Sequence, residues 1–159
     1  MKDIRQDLRH CTLCAKRFSA TETGHRPNPV GWVAPGARIL IASLAPGMRV
    51  HLANTPFWDA SGKRLRAWLG MDDETFYDRS RVAIIPMGFC FPGYNDKGSD
   101  LPPPAICAKT WRAQALAMVP DIRLTVLIGA YAMRYHLPEF TNVTRAVAGW
   151  RTHPPHVFA

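Results

Sequence analysis

The chain has 159 residues, 47% of them apolar and 20% charged, enough for one domain with a core and too few for two. No apolar run approaches the roughly 18 residues that a membrane span needs. Met1-Lys2-Asp3-Ile4-Arg5 lacks the apolar stretch of a secretion signal, so a cytoplasmic, non-membrane protein is expected. Twenty Lys and Arg against twelve Asp and Glu give a net charge of +8, which favours a polyanionic partner, nucleic acid being the commonest.

In chain order, residues 2–9 read as a short helix leading into Cys11-Thr12-Leu13-Cys14. Residues 15–37 are rich in Pro, Gly and Thr and predict an irregular arm wrapped on the domain. Arg38-Ile39-Leu40-Ile41-Ala42 is the first continuous apolar run. Val82-Ala83-Ile84-Ile85 and Leu124-Thr125-Val126-Leu127-Ile128 follow, and Val157-Phe158-Ala159 begins a fourth. None alternates with period two, so they suit strands buried on both faces of a parallel sheet. Between them, Ser61 is a candidate N-cap for a helix carrying Leu65, Trp68 and Leu69 at helical spacing and stopped by Gly70. Lys63, Arg64 and Arg66 fall elsewhere on that helix, free to meet solvent or phosphate. Further helices are predicted over 105–118, closed by Pro120, over 130–136, opened by Gly129, and over 141–150, capped by Thr141 or Asn142. Strands alternating with helices predict a three-layer αβα sandwich with a central, mostly parallel four-stranded sheet. Such sheets hold ligands beyond the carboxyl ends of their strands, which directs attention to the loops after Ala42, Ile85 and Ile128.

Four cysteines stand out. Disulfides are not expected in a cytoplasmic chain of this size. Cys11 and Cys14 form C-x2-C, whereas Cys90 and Cys107 have sixteen residues between them, in a loop with Pro92, Gly93, Pro102, Pro103 and Pro104. A zinc ribbon would want a second short pair. One tight and one wide pair suit a cubane iron–sulfur cluster. Tetrahedral zinc and simple burial remain alternatives at this point.

Cys11-Thr12-Leu13-Cys14, then Ser43-Leu44-Ala45-Pro46-Gly47, Pro56-Phe57-Trp58-Asp59-Ala60-Ser61-Gly62, Cys90, Cys107 and Leu127-Ile128-Gly129-Ala130 together resemble the uracil-DNA glycosylase superfamily, especially its iron–sulfur branches, families 4 and 5. The resemblance spans nearly the whole chain as one domain, 1–159. It implies a DNA-repair glycosylase that flips uracil or a related deaminated base out of DNA and hydrolyses its N-glycosidic bond. It further implies a monomer acting on DNA, with a [4Fe-4S] cluster on Cys11, Cys14, Cys90 and Cys107. Phe57 resembles the aromatic that stacks on the flipped base. Ala45, Pro46 and Gly47 resemble the loop that binds water and approaches phosphate. Asp59 resembles the acid that orients water, although Asp and Ser also serve simply as helix-start residues. Phe57 and Trp58 read equally well as core aromatics. Leu44 matches the family 5 pattern where family 4 has Glu, and His51 is close enough in sequence to touch phosphate or base.

Two departures matter. Ser43 replaces the first Gly of the loop, and Pro86 stands where family 4 has a uracil-reading Asn, so strict uracil selectivity is not expected. The resemblance also implies a His-containing motif after the last strand. His153-Pro154-Pro155 is similar to it but precedes Val157-Phe158-Ala159, so the motif itself is expected beyond residue 159. A form ending there is expected to bind DNA weakly and excise little. The competing expectation is a non-enzymatic basic nucleic-acid-binding module stapled by zinc or a cluster.

Overall fold

The computed structural model describes residues 3–154 and 157–158. Three strands carry the sheet: β1 (Ile39–Ala42), β2 (Val82–Ile84) and β3 (Leu124–Leu127). They are parallel, with Leu40 opposite Ala83 and Thr125, and Ile41 opposite Ile84 and Val126. Where a full fourth strand was expected, β4 (Val157–Phe158) adds two parallel pairs beside β3, giving the order β2-β1-β3-β4. Ala159 lies outside the described residues. The Pro-rich arm guards the other edge: Trp32 and Ile84 exchange N–H···O bonds of 2.9 and 3.0 Å, which covers the free side of β2.

Alternation along the strands sends neighbouring residues to opposite faces. Leu40, Ala83 and Ile85 pack with Ile4, which precedes α1 (Arg5–Arg9), with Leu8 of that helix and with Ala115 of α7 (Ala113–Ala117). On the same side, Ala42 and Leu127 meet Ala132 and Met133 of α8 (Ala130–His136) and Ala146 of α9 (Val143–Ala148). Ile41, Val82, Ile84 and Val126 face the other way, onto Leu65 of α4 (Ala60–Leu69) and Phe76 of α5 (Asp73–Tyr77). Helices thus cover both faces, and the continuous apolar runs are explained by burial on two sides.

Several local expectations need correction. Asp59, not Ser61, caps α4: its side chain accepts from Gly62 N–H, and Ser61 sits inside the first turn. Trp68 shares helical spacing with Leu65 but is 78% exposed, because the buried stripe of α4 is narrow. The helix expected over 105–118 is α6 (Ala105–Cys107), a π-helical turn over Ala108–Arg112, then α7. Three short helices had no clear signal: α2 (Ala15–Ser19) within the arm, α3 (Met48–Ala53) after the first loop, and α5. Among the described residues no helix is long and apolar enough to cross a membrane.

Candidate active site and cysteine cavity

A cavity of about 320 Å³ opens at the carboxyl ends of β1, β2 and β3. That volume is at the small end of ligand pockets and suits a single base-sized group. Its walls are the loop Ser43–Gly47, the lead-in to α4 with Pro56, Phe57, Asp59 and Ser61, the β2 tip with Ile84 and Pro86, and Ile128 and Gly129 after β3. Leu44, Ala45, Pro46, Gly47, Phe57 and Asp59 therefore surround one space. The loop after β1 is fixed by the segment after β2, since Met87 N–H donates to Ser43 O at 2.8 Å and Gly88 N–H to Leu44 O at 2.9 Å.

Phe57 is held in an unusual state. Its φ is +57°, the left-handed region that a bulky side chain avoids. Three contacts impose it. Arg66 donates to Phe57 O at 3.1 Å, and Tyr77 donates to Pro56 O at 2.9 Å. Gly62 lets the turn close, because a β-carbon there would stand 1.8 Å from Phe57 O. The half-buried Phe57 ring meets Phe76 edge-on at 5.8 Å and still lines the cavity. Strain of this kind costs roughly 1–3 kcal/mol and concentrates at functional sites. Its neighbour Trp58 is 54% exposed, so it is not a core aromatic.

Asp59 Oδ1 accepts from Gly62 N–H at 2.8 Å and from Ser61 Oγ at 2.7 Å. The carboxylate is thus a helix cap and a cavity wall at once. Arg66, which the sequence left free for solvent or phosphate, is instead an internal brace: it pairs with Asp73 at 2.6 Å, its side chain only 11% exposed. Asp100 was missed altogether. Its Oδ2 lies 3.6 Å from where a β-carbon on Gly47 would stand, and burial together with the Asp59 charge pushes its carboxyl above the ordinary carboxylate range. A lone acid in a polar turn gives no sequence signal for this placement.

His51 is not among the residues lining the cavity. It belongs to α3, and its ring lies 5.3 Å from that of His25 and 6.0 Å from that of Phe91, inside an aromatic contact between arm and loop. Burial, with the His25 charge adding, lowers its pKa. His153 Nε2 lies 2.9 Å from Ala146 O and so pins the chain to the end of α9 ahead of β4; Pro155 lies outside the described residues.

The four cysteines converge. Cys11, Cys14, Cys90 and Cys107 line one narrow cavity whose other walls are mainly apolar, among them Leu8, Phe18, Pro29 and Trp111. Burial pushes the Cys90 thiol up to about 12 and that of Cys107 up to about 11, and the charges of neighbouring cysteines push the same way. Cys14 is raised by burial and by Cys11. Donors already reach the sulfurs: Phe89 N–H lies 3.4 Å from Cys107 Sγ, and Trp111 Nε1 lies 3.3 Å from Cys11 Sγ. Among the described residues, no three His, Cys, Asp or Glu side chains come close enough to share a single metal ion.

Arg112 was also missed. It ends the π-helical turn that starts just after Cys107 and is fully buried. Its Nη1 donates to Ile85 O at 2.9 Å and to Pro86 O at 3.1 Å, and Nη2 meets His136 Nε2. Tyr135 covers the guanidinium at 4.7 Å. Burial lowers the Arg112 pKa to about 10, while burial and the Arg112 charge lower that of His136 to about 4. Arg112 thus grips the β2 tip from behind the cavity wall.

An open parallel sheet with a small cavity at its strand tips, walled in part by an aromatic ring and a carboxylate, defines an α/β protein with a pocket at the usual ligand position of such sheets. A family model described as the uracil-DNA glycosylase superfamily matches residues 30–158, and the chain belongs to that superfamily. Its members act on DNA by glycosylase chemistry.

Proposed function

We propose that the protein is a DNA-repair glycosylase that removes uracil or a related deaminated base, and that its four cysteines hold a [4Fe-4S] cluster. The observation that carries the first part is Phe57, held at φ +57° against the cavity with Asp59 two residues on. The glycosidic carbon is unreachable inside a base stack, so the target nucleotide must be extruded. Phe57 then offers its ring to the base. Gly47 and Pro46 let backbone approach the flanking phosphate. Ala45 leaves room for a water beside the sugar, and Asp59 orients that water and takes its proton. Water oxygen bonds to the sugar carbon as the bond to the base breaks. The departing base keeps the bonding pair and takes a proton from solvent, and Asp59 releases the proton it received to solvent, so one water is consumed in all. Pro86 supplies no side-chain amide to the cavity, which supports reading more than one deaminated base.

The cysteine cavity supports the second part. Four thiols lining one cavity, three of them (Cys14, Cys90 and Cys107) made harder to ionise by burial, match a site completed by a cationic centre. Among the described residues the thiols are too far apart for three to share one ion, which favours a cluster over one zinc ion, because a cubane interposes its own iron and sulfide between the thiolates. When bound, the cluster supplies a cross-link between the arm and the loop after β2. Cys11, Cys14, Cys90 and Cys107 would hold it, and the N–H groups of Phe89 and Trp111 would steady two of the sulfurs.

The test is release of base from a uracil-containing oligonucleotide by the protein and by Asp59→Asn. Asn still caps a helix but carries no charge. Excision by the unaltered protein at a low but measurable rate, reduced about 100-fold or more in Asp59→Asn, is expected for an acid–base role. Equal rates would remove Asp59 from the chemistry, and no excision of any deaminated base would remove the enzyme reading.

A further inference from the structure

We propose that the outward face of α4 is a track for an unpaired DNA segment leaving the cavity, with Ser61, Arg64 and Trp68 as successive contacts. This rests on the glycosylase reading for its starting point. The three residues stand at i, i+3 and i+7, so they share one face of the helix. All three are exposed, and Ser61 is also a wall of the cavity. The face therefore begins at the cavity and runs outward for about 10 Å at 1.5 Å per residue.

The chemistry along it fits one occupant. The helix carries Lys63, Arg64 and Arg66 and no acidic residue. Arg66 turns inward to Asp73 and Phe57, which leaves Lys63 and Arg64 on the exposed side without an ion pair among the described residues. Trp68, 78% exposed, is the most exposed large apolar side chain described, and the Arg64 guanidinium sits 6.0 Å above its ring. A hydroxyl, a cation and a bare indole in line reproduce the parts of single-strand recognition: phosphate contact plus a stacking platform. An indole stacks only on a base freed from its partner, so the occupant is a single strand rather than a continuous duplex.

The experiment measures fluorescence anisotropy of a labelled uracil-containing oligonucleotide, single-stranded and as a blunt duplex, with the full chain. Trp68→Ala, Trp68→Phe and Arg64→Gln alter exposed positions only. Trp68→Ala is expected to weaken single-strand binding at least about five-fold, with much of the loss restored in Trp68→Phe. Arg64→Gln is expected to flatten the salt dependence by about 0.7 in log K per log salt. Unchanged affinity in both variants overturns the track and leaves the glycosylase reading standing. Equal losses on duplex and single strand overturn the choice of an unpaired segment. Binding through Trp68 without any base release supports the track while the glycosylase reading falls. Failure of the unaltered protein to bind DNA overturns the track.

Discussion

Replacing Arg112 by Met tests how the cavity wall is held. Two opposed effects set the size. Arg112 makes two charge-assisted bonds, to Ile85 O and Pro86 O, each worth roughly 1.5–3 kcal/mol. Against this, its pKa falls from 12.5 to about 10, so keeping the cation buried costs on the order of 3 kcal/mol at 1.36 kcal/mol per unit. Methionine loses the bonds and strands two carbonyls, but removes the buried charge. The net expectation is a loss of about 2 kcal/mol, a fall in Tm of roughly 4–8 °C for a domain of this size. Lysine is expected to do no better, because an ammonium cannot span two carbonyls in a fixed fork and deprotonates readily when buried. Calorimetry measures the Tm, and proton NMR of His136 supplies a second readout. Without the neighbouring cation its pKa is expected to rise from about 4, while burial, the larger cause, still holds it below 6.5. A Tm within 1–2 °C of the parent together with an unmoved His136 would refute the clamp.

His136 also sets a pH dependence. Its folded pKa of about 4 lies below the ordinary 6.5, so the unfolded chain takes up a proton that the folded one refuses. Stability is expected to decline as pH falls from about 6.5 to about 4, and to do so less in His136→Gln, measured by urea midpoints across that range. Gly62→Ala places a methyl 1.8 Å from Phe57 O, so the turn must open; base excision is expected to drop at least about ten-fold, and normal excision would show that the Phe57 geometry is dispensable. Cys107→Ser is expected to abolish the broad visible absorbance of protein reconstituted anaerobically with iron and sulfide and to lower its Tm; retained colour and iron would displace Cys107 from the ligand set.

The sheet was legible because each strand is a short run of apolar residues between polar or Pro-rich breaks, and burial on both faces leaves no other pattern. The convergence of cysteines was legible from their pairing. What escaped depends on contacts distant in sequence. Asp59 and Ser61 are both good caps, and only the bond to Gly62 N–H decides between them. Nothing local marks Phe57 as left-handed; Arg66, Tyr77 and Gly62 impose it across five to twenty positions. Arg112 escaped because arginine is ordinarily exposed, although its place among Ala113, Ala115 and Ala117 was a hint. His51 was assigned by proximity in sequence, which α3 undoes by carrying its ring to His25.

One short stretch has two tenants. Pro86 faces the strand-tip cavity, while Gly88, Phe89 and Cys90 face the thiols. Neither chamber can be remodelled alone: a larger residue that retunes one moves the partition of the other. Damage at the sulfurs should therefore be felt at the strand-tip cavity through this shared stretch.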